Sequence, residues 1–597
     1  MTASDPGDAA LSVTASGRLR VLNEAGFLDG SDCVIAARVS TLVGEDVSGD
    51  AALALAFAVR AVREGSTALD LGSVADLSVD LAEVGDARSG APRSRPESEQ
   101  LVRLGDLAEL PDPAEWFAAV RASPLAAQGV LRPDLGLVYL ERNHADECLI
   151  AKALQDRRDR EVSPVDQVAV TEALQDRGLD EAQLTAVRRV TQQAVTVLTG
   201  GPGMGKTYTI AGVLAALAAG SRHTLRIGLA APTGKAAARM NETLQDALAS
   251  TASISPAVTV HRLLGSRPDS RQRFRHDAHN PLPHDVVVID EASMVSLSLM
   301  ARLVEALPPT ARLLLVGDPD QLASVEAGSV LADLVRGLEG DGSVVRLTKD
   351  HRLDDDRARL ARAFRTGAPG SVLDLVARAA TGLTFVETEA PTLGQLPEVV
   401  EHAWQLRELA LDGDVAAALA QLGRFRLLCA HRTGPFGTRH WNRLVEQALA
   451  ARAPEVAMHP MYVGRPILVT RNDYGLGVSN GDTGVVVRTG DGPLAAVETG
   501  SGTRAFAPWR LSDIETMHAM TVHKAQGSQA EHVAVIVPPT TSRLLTRELL
   551  YTAVTRAEHH LTIVGSRAAI RAAVETPAQR SSGLAQRLAR PGVERRG

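Results

Sequence analysis

Only five lysines stand among the 63 basic residues of this chain: Lys152, Lys206, Lys235, Lys349 and Lys524. Arg and Lys serve alike as bulk surface charge. Arg's planar fork does not replace a compact, flexible point charge, so a Lys retained in an Arg-rich chain marks a position fixed by chemistry. Lys206 closes Gly200-Gly201-Pro202-Gly203-Met204-Gly205-Lys206-Thr207, the G-x-x-x-x-G-K-T pattern of a phosphate-binding loop. The backbone N–H groups of such a loop form an anion nest at a helix N-terminus. Lys206 would reach the outer phosphates and the Thr207 hydroxyl would hold Mg²⁺. Gly200, Gly201, Pro202, Gly203, Met204, Gly205 and Tyr208 complete the expected nucleotide-binding set.

Downstream, the apolar run Val286-Val287-Val288-Ile289 ends in Asp290 and Glu291. Asp290 would hold the Mg²⁺ water shell and Glu291 would take a proton from the attacking water. Gln321, in Gly317-Asp318-Pro319-Asp320-Gln321-Leu322, is of the type that senses a γ-phosphate or orients water. Arg352, in Leu347-Thr348-Lys349-Asp350-His351-Arg352, and Arg556, in Tyr551-Thr552-Ala553-Val554-Thr555-Arg556, would be ordinary surface residues taken alone. They become candidate arginine fingers if a second domain turns them toward the γ-phosphate.

These groups need strands and helices to hold them. From about residue 179, β-rich apolar runs at 194–199, 226–231, 286–289 and 312–316 alternate with helical patterns, the first helix being expected at 206–217. Such alternation predicts a parallel sheet covered by helices, an α/β domain over 179–344. A second α/β domain is expected over 345–453 and 516–575, with strands at 425–430, 532–537 and 561–565. The interruption, 454–515, shows short alternating runs at 465–470, 483–488, 494–498 and 503–507. With turn signals at Asn480-Gly481 and Gly490-Asp491-Gly492, it predicts a small inserted β-barrel. Residues 1–130 carry Ala, Leu and Val at helical spacing and predict a helical domain, with a loop at 89–98; 131–178 read as a linker and 576–597 as a flexible tail.

Residues 1–150 hold 24 Asp and Glu against 12 Arg and no Lys, a net charge of −12, whereas the remainder sums to +4. The acidic segment would repel a phosphate backbone; the rest has charge to spare for a basic channel. No basic stretch followed by an apolar core occurs in residues 1–17, and no apolar run approaches the ~18 residues that span a membrane. A cytoplasmic protein without membrane contact is expected. Cys33, Cys148 and Cys429 lack C-x-x-C spacing, which argues against zinc, iron–sulfur or disulfide frameworks. No N-K-x-D motif exists, which disfavours a GTPase, and no Lys follows an acid at the acid-x-Lys spacing of common metal-dependent nucleases.

The P-loop, Ala231-Pro232-Thr233-Gly234-Lys235-Ala236-Ala237, Ile289-Asp290-Glu291-Ala292-Ser293-Met294, 317–322, Thr521-Val522-His523-Lys524-Ala525-Gln526-Gly527 and 551–556 occur in that order. Together they resemble the motif series of superfamily 1 helicases. Gly464-Arg465-Pro466-Ile467-Leu468-Val469-Thr470-Arg471-Asn472-Asp473-Tyr474 with Asn480-Gly481-Asp482, and Leu428-Cys429-Ala430-His431-Arg432-Thr433-Gly434-Pro435-Phe436-Gly437, refine this to a resemblance to the RecD family, the alpha subunits of exonuclease V (RecBCD). It spans about residues 130–570. It implies two RecA-like P-loop domains with an SH3-like inserted barrel, and an ATP- and Mg²⁺-dependent motor moving 5′ to 3′ on single-stranded DNA at duplex ends. It implies RecB-type and RecC-type partners in a heterotrimer, with nuclease activity in a partner, and recombinational repair of broken DNA as the role. It also implies that Gln183 meets the adenine edge and that Thr233, Lys235, His261, Asn472, His523 and Lys524 meet DNA. Tyr474 and Trp509, near the barrel, are candidates for stacking on bases. Two other readings are a stand-alone helicase of the same type, against which the short acidic N-terminal segment weighs, and a nucleotide-gated scaffold that does not translocate.

Overall fold

The computed structural model describes residues 12, 15–80, 101–244, 254–267, 270–349, 356–378, 381–473, 475–500 and 502–589. Two parallel sheets dominate it. In the first, the strand order is Val344–Arg346, Val195–Thr199, Arg312–Gly317, Val286–Ile289, Ile227–Ala231 and Val258–Thr259, and every pairing is parallel. Side chains alternate between two cores: Val287, Ile289, Leu313 and Leu315 face one, and Val286, Val288, Leu314 and Val316 the other. Burial on both faces explains why these strands read as continuous apolar runs. The boundary expected at 344/345 falls inside the edge strand Val344–Arg346, which belongs to this first sheet.

The second parallel sheet runs Leu383–Glu387, Ala557–Gly565, Ala530–Ile536, Phe425–Cys429, Ala519–Thr521. Between its strands the chain leaves to form an antiparallel sheet in the order Gly502–Phe506, Gly492–Thr499, Thr483–Thr489, Pro466–Val469, Ile514–Thr516. Thr489 pairs with Gly492, so Gly490-Asp491 is the two-residue turn expected there.

The N-terminal part is more mixed than a helical domain. Helices Gly17–Glu24, Gly30–Val43, Asp50–Arg63 and Pro113–Ala122 pack around Phe57 and Trp116, whose rings meet edge-on at 6.2 Å. A three-stranded sheet (Ala68–Leu69, Leu137–Leu140, Leu131–Asp134) completes it. The 89–98 loop lies outside the described residues.

The segment 131–178 is not a linker. Its helix Glu141–Arg158 places Ile150, Ala151 and Leu154 in the first domain's core. From the same helix Arg157 donates to the carbonyls of Leu307 (2.7 Å), Pro308 (2.8 Å) and Ala311 (3.2 Å). Its buried face also carries Asn143, Asp146, Glu147 and Arg157, so no continuous apolar stripe marks the helix in the sequence. Nor is 576–597 a free tail as far as residue 589. Ser581 O accepts from the N–H groups of Thr67 (3.0 Å) and Ala68 (3.2 Å). The helix Leu584–Ala589 buries Leu584 and Leu588 against the first domain. No helix among the described residues is long and apolar enough to cross a membrane.

Candidate active site

The strand Val195–Thr199 delivers the chain into the P-loop, and Gly203 (φ 86°) and Gly205 (φ 78°) take the left-handed conformation that only glycine adopts without strain. Gly205 is the N-cap of the helix Lys206–Gly220, so the loop lies at a helix N-terminus, where free N–H groups can face an anion. Lys206 Nζ donates to the carbonyls of Gly200 (2.7 Å) and Gly201 (3.0 Å), which folds the ammonium over the nest. Thr207 begins the helix beside it. Tyr208 is half-exposed and its hydroxyl donates to the Arg177 carbonyl, at the rim rather than in the nest.

Asp290 ends the strand Val286–Ile289. Burial, and then the Glu291 charge, push its carboxyl up to about 6, while Lys206 pulls it down. Asp290, Glu291 and Lys206 therefore share one field. Glu291 adopts a left-handed backbone (φ 51°), one of two non-glycine residues to do so among the described residues. A non-glycine residue there carries strain of ~1–3 kcal/mol, of the kind that clusters at working sites.

Next to it a hydrogen-bonded relay crosses from the first sheet to the second domain. Tyr551 Oη donates to Asp318 Oδ2 at 2.8 Å, Gln321 Nε2 donates to the same oxygen at 3.1 Å, and Arg556 Nη2 donates to Gln321 Oε1 at 3.1 Å. The backbone is tied at the same place: Thr552 Oγ1 accepts from Leu322 N (2.8 Å) and Gln526 Nε2 donates to Leu322 O (2.7 Å). Arg556 is buried; its guanidinium is held below its ordinary range by burial, with the Glu291 charge the largest opposing influence. Arg352 lies outside the described residues, as does Tyr474.

A cleft of about 410 Å³ opens between the P-loop and the second domain, lined by Gly201, Met204, Arg357, Arg362, Arg365 and Tyr551. Three of these are arginines of the helix Asp356–Thr366 that sequence reasoning did not single out. At ~100° per residue they fall within one arc of that helix. In an Arg-rich sequence that signal is hard to separate from surface charge.

Gln183 is 1% exposed and belongs to a capping box with Asp180. Its Oε1 accepts from Asp180 N at 2.9 Å, whereas its Nε2 is buried with no partner among the described residues. An orphaned buried donor is costly unless something satisfies it. A ring nitrogen of adenine would do so.

The remaining candidates fall into three groups. Thr233 caps the helix Gly234–Thr243, and a Cβ on Gly527 of the second domain would lie 3.7 Å from its Oγ1. Lys235 is pushed down to about 8 by burial and then by Arg426, while Glu498 and Asp482 of the inserted sheet oppose this. Asn472 Oδ1 accepts from Asn480 N at 2.8 Å and shapes the loop that faces Gly234 through Ser479. Thr233 and Lys235 thus lie where first domain, second domain and insert converge. Lys524 lies across the insert junction, where it and Arg432 grip the two oxygens of Glu515 (both 2.7 Å). Those three, with Arg439, Arg443 and Asn442, line a groove of about 250 Å³. His261 lies beside Phe274 (5.9 Å between rings); burial holds its imidazole below the ordinary range, with the Glu326 charge opposing. His523 lies in the field of Arg580. Trp509 is 81% exposed and stands on the insert away from these groups. Lys152 is exposed on the helix Glu141–Arg158 and joins none of them.

Residues 183–327 match the family described as "AAA domain", and residues 516–564 match "UvrD-like helicase C-terminal domain". The chain is 46% identical, over 98% of its length and 99% of the relative's, to the RecBCD enzyme subunit RecD of Mycobacterium tuberculosis. It is 47% identical, over 95% of its length and 98% of the relative's, to the protein of the same description from Mycolicibacterium smegmatis. The ATP-dependent RecD2 DNA helicase of Deinococcus radiodurans is 32% identical over 82% of this chain and 62% of that protein.

Proposed function

The chain belongs to the RecD family of RecBCD enzyme subunits, and from that premise we propose that it is the 5′-to-3′ single-stranded DNA motor of a three-subunit helicase-nuclease acting at duplex ends in recombinational repair. It is a superfamily 1 DNA helicase of RecBCD type that hydrolyses ATP. RecB-type and RecC-type chains are its proposed partners, with the nuclease in one of them, and the cytoplasm is its proposed place. We read the inserted antiparallel sheet as the SH3-like module of the motor and the acidic N-terminal domain as the part that docks on a partner.

ATP and Mg²⁺ fit the residues present. The glycine nest and Lys206 would take the phosphates, and the orphaned Gln183 Nε2 would take the adenine edge. Thr207 and Asp290 offer the hydroxyl and carboxylate oxygens suited to a hard cation. When bound, the cation neutralises charge that builds on the β- and γ-phosphates. Glu291, beside Asp290, accepts the proton of the attacking water. Gln321 orients the terminal phosphate or that water, and Arg556 supplies positive charge from the second domain. DNA would cross the surface formed by Thr233, Lys235 and Asn472 at one junction and Lys524 at the other, with His261 and His523 alongside; Lys contacts to phosphate suit sequence-independent tracking.

The observation that carries this reading is the relay from Tyr551 through Asp318 and Gln321 to Arg556, because it makes the nucleotide-facing motif of one domain depend on the position of the other. The test is DNA-stimulated ATP hydrolysis by the Lys206→Gln variant. Loss of ~100-fold or more in kcat is expected, as for removal of one preorganised charge donor. Hydrolysis that survives the substitution would contradict the assignment.

A further inference from the structure

The C-terminal segment returns from the second domain to the first at Arg580. Ala578 N donates to Glu548 Oε2 (2.7 Å), on the same helix, Arg547–Val554, that carries Tyr551 and Thr552. Two residues later, Arg580 Nη1 donates to three carbonyls of the first domain: Ser324 (2.7 Å), Glu326 (3.3 Å) and Gly328 (3.2 Å). On its other side the guanidinium is packed against Gly65 of the N-terminal domain, where an added Cβ would lie 2.7 Å from Arg580 Cζ. Gly65 O in turn accepts from Gly328 N at 2.9 Å. Arg580 makes no ion pair among the described residues, and burial alone holds its charge below the ordinary range. A desolvated charge satisfied only by backbone carbonyls is a costly way to glue a loop that neutral groups could also hold.

The loop it grips has two ends with different business. At one end are Asp318 and Gln321, within hydrogen-bond reach of Tyr551 and Arg556. Between them and the gripped carbonyls, Leu322 O accepts from Gln526 Nε2 (2.7 Å), and Gln526 N donates to His523 O (3.3 Å), so the loop is tied to the turn that carries His523 and Lys524. Val325, between the three gripped carbonyls, is 71% exposed.

We propose that Arg580 is a positioning residue for ATP hydrolysis: by fixing residues 324–328 it holds Leu322 against the His523–Gln526 turn, proposed above to meet DNA, and so couples that turn to Gln321 and Arg556 at the nucleotide. The proposal rests on the DNA-stimulated hydrolysis proposed above. A chain whose loop is released from Arg580 still binds nucleotide, because no hydrogen bond among the described residues joins 324–328 to the P-loop or to Gln183. It no longer reports DNA to Gln321.

The full-length chain is assayed for ATP hydrolysis with and without saturating oligothymidylate, alongside its melting temperature. For Arg580→Ala the stimulation of kcat by DNA falls about tenfold, within the usual range of coupling between sites, while the KM for ATP and the DNA-free rate stay at wild-type values. Arg580→Lys regains much of the stimulation, since an ammonium offers three donors for three carbonyls. Arg580→Gln, which keeps an NH2 donor but cannot span three carbonyls, shows the same selective loss and decides the matter if Arg580→Ala does not fold. Full stimulation in Arg580→Ala or Arg580→Gln, or a parallel fall of basal and stimulated rates in either, overturns the proposal. A wild-type chain that DNA does not stimulate overturns the motor reading and this proposal with it; a stimulated wild type with insensitive variants overturns this proposal alone.

Discussion

Asp290 and Glu291 are neighbours in sequence, and both must be ionised for the roles proposed for them. Asp290 must be ionised to hold a cation, yet burial raises its carboxyl to about 6. Because the folded value is raised, protonation competes with the metal as pH falls. The apparent Mg²⁺ affinity for hydrolysis should therefore weaken, up to ~tenfold per unit, below about pH 6. Magnesium titrations of ATP hydrolysis between pH 5 and 7.5 measure this, and a flat response would remove Asp290 from the metal site. Gln183→Ala should raise the KM for ATP by about tenfold with little change in kcat, the pattern of lost uniform binding, and should narrow the preference for ATP over other nucleoside triphosphates. The P-loop and the Asp290–Glu291 pair were legible because phosphate and metal chemistry dictate both residue type and spacing. Lys was informative where Arg was not: Lys206 and Lys235 stand at the nucleotide and domain junctions, whereas Arg357, Arg362 and Arg365 were lost among the chain's many arginines. Tyr551 was quoted as part of a motif, but its bond to Asp318 depends on a contact between residues far apart in sequence.

The inner strands of both parallel sheets and most of the insert announced themselves through apolar runs and Gly-containing turns. Val258–Thr259, Val344–Arg346, Leu383–Glu387, Ile514–Thr516 and Ala519–Thr521 did not: all five are edge strands, and four of them have only two or three residues and no period to display. The C-terminal helix Leu584–Ala589 was hidden for a related reason: Leu584 and Leu588 alone carry its burial, amid Arg, Gly and Pro. Those two side chains nevertheless matter. Leu588 meets the helix Val330–Gly337 so closely that a Cβ on Gly337 would lie 2.8 Å from its own. Leu588→Ala should cost ~2–5 kcal/mol, the usual range for truncating a buried leucine. Denaturant unfolding would show the loss; an unchanged midpoint would mean that the helix is not seated.

Across the whole molecule charge is partitioned, with −12 in residues 1–150 and +4 in the remainder. That division favours DNA on the motor domains and protein on the N-terminal one. Lys524→Ala should weaken single-stranded DNA binding and lower the slope of log affinity against log salt by about one, the signature of one lost phosphate contact. Fluorescence anisotropy at several salt concentrations reads both quantities; an unchanged slope would leave Lys524 to its pairing with Glu515. Copurification from the native host should bring two large partners, and their absence would favour a stand-alone helicase. One further consequence concerns time. Leu584 and Leu588 finish a core whose other members end at Leu338. At about 5–20 residues per second, a ribosome needs tens of seconds to travel between them. The first motor domain thus leaves the exit tunnel with an open apolar seam that its own chain fills last. Nascent chains halted before residue 584 should be more easily cut by protease within the first motor domain than released ones, and a premature stop near the end of the message would strand that domain unfinished.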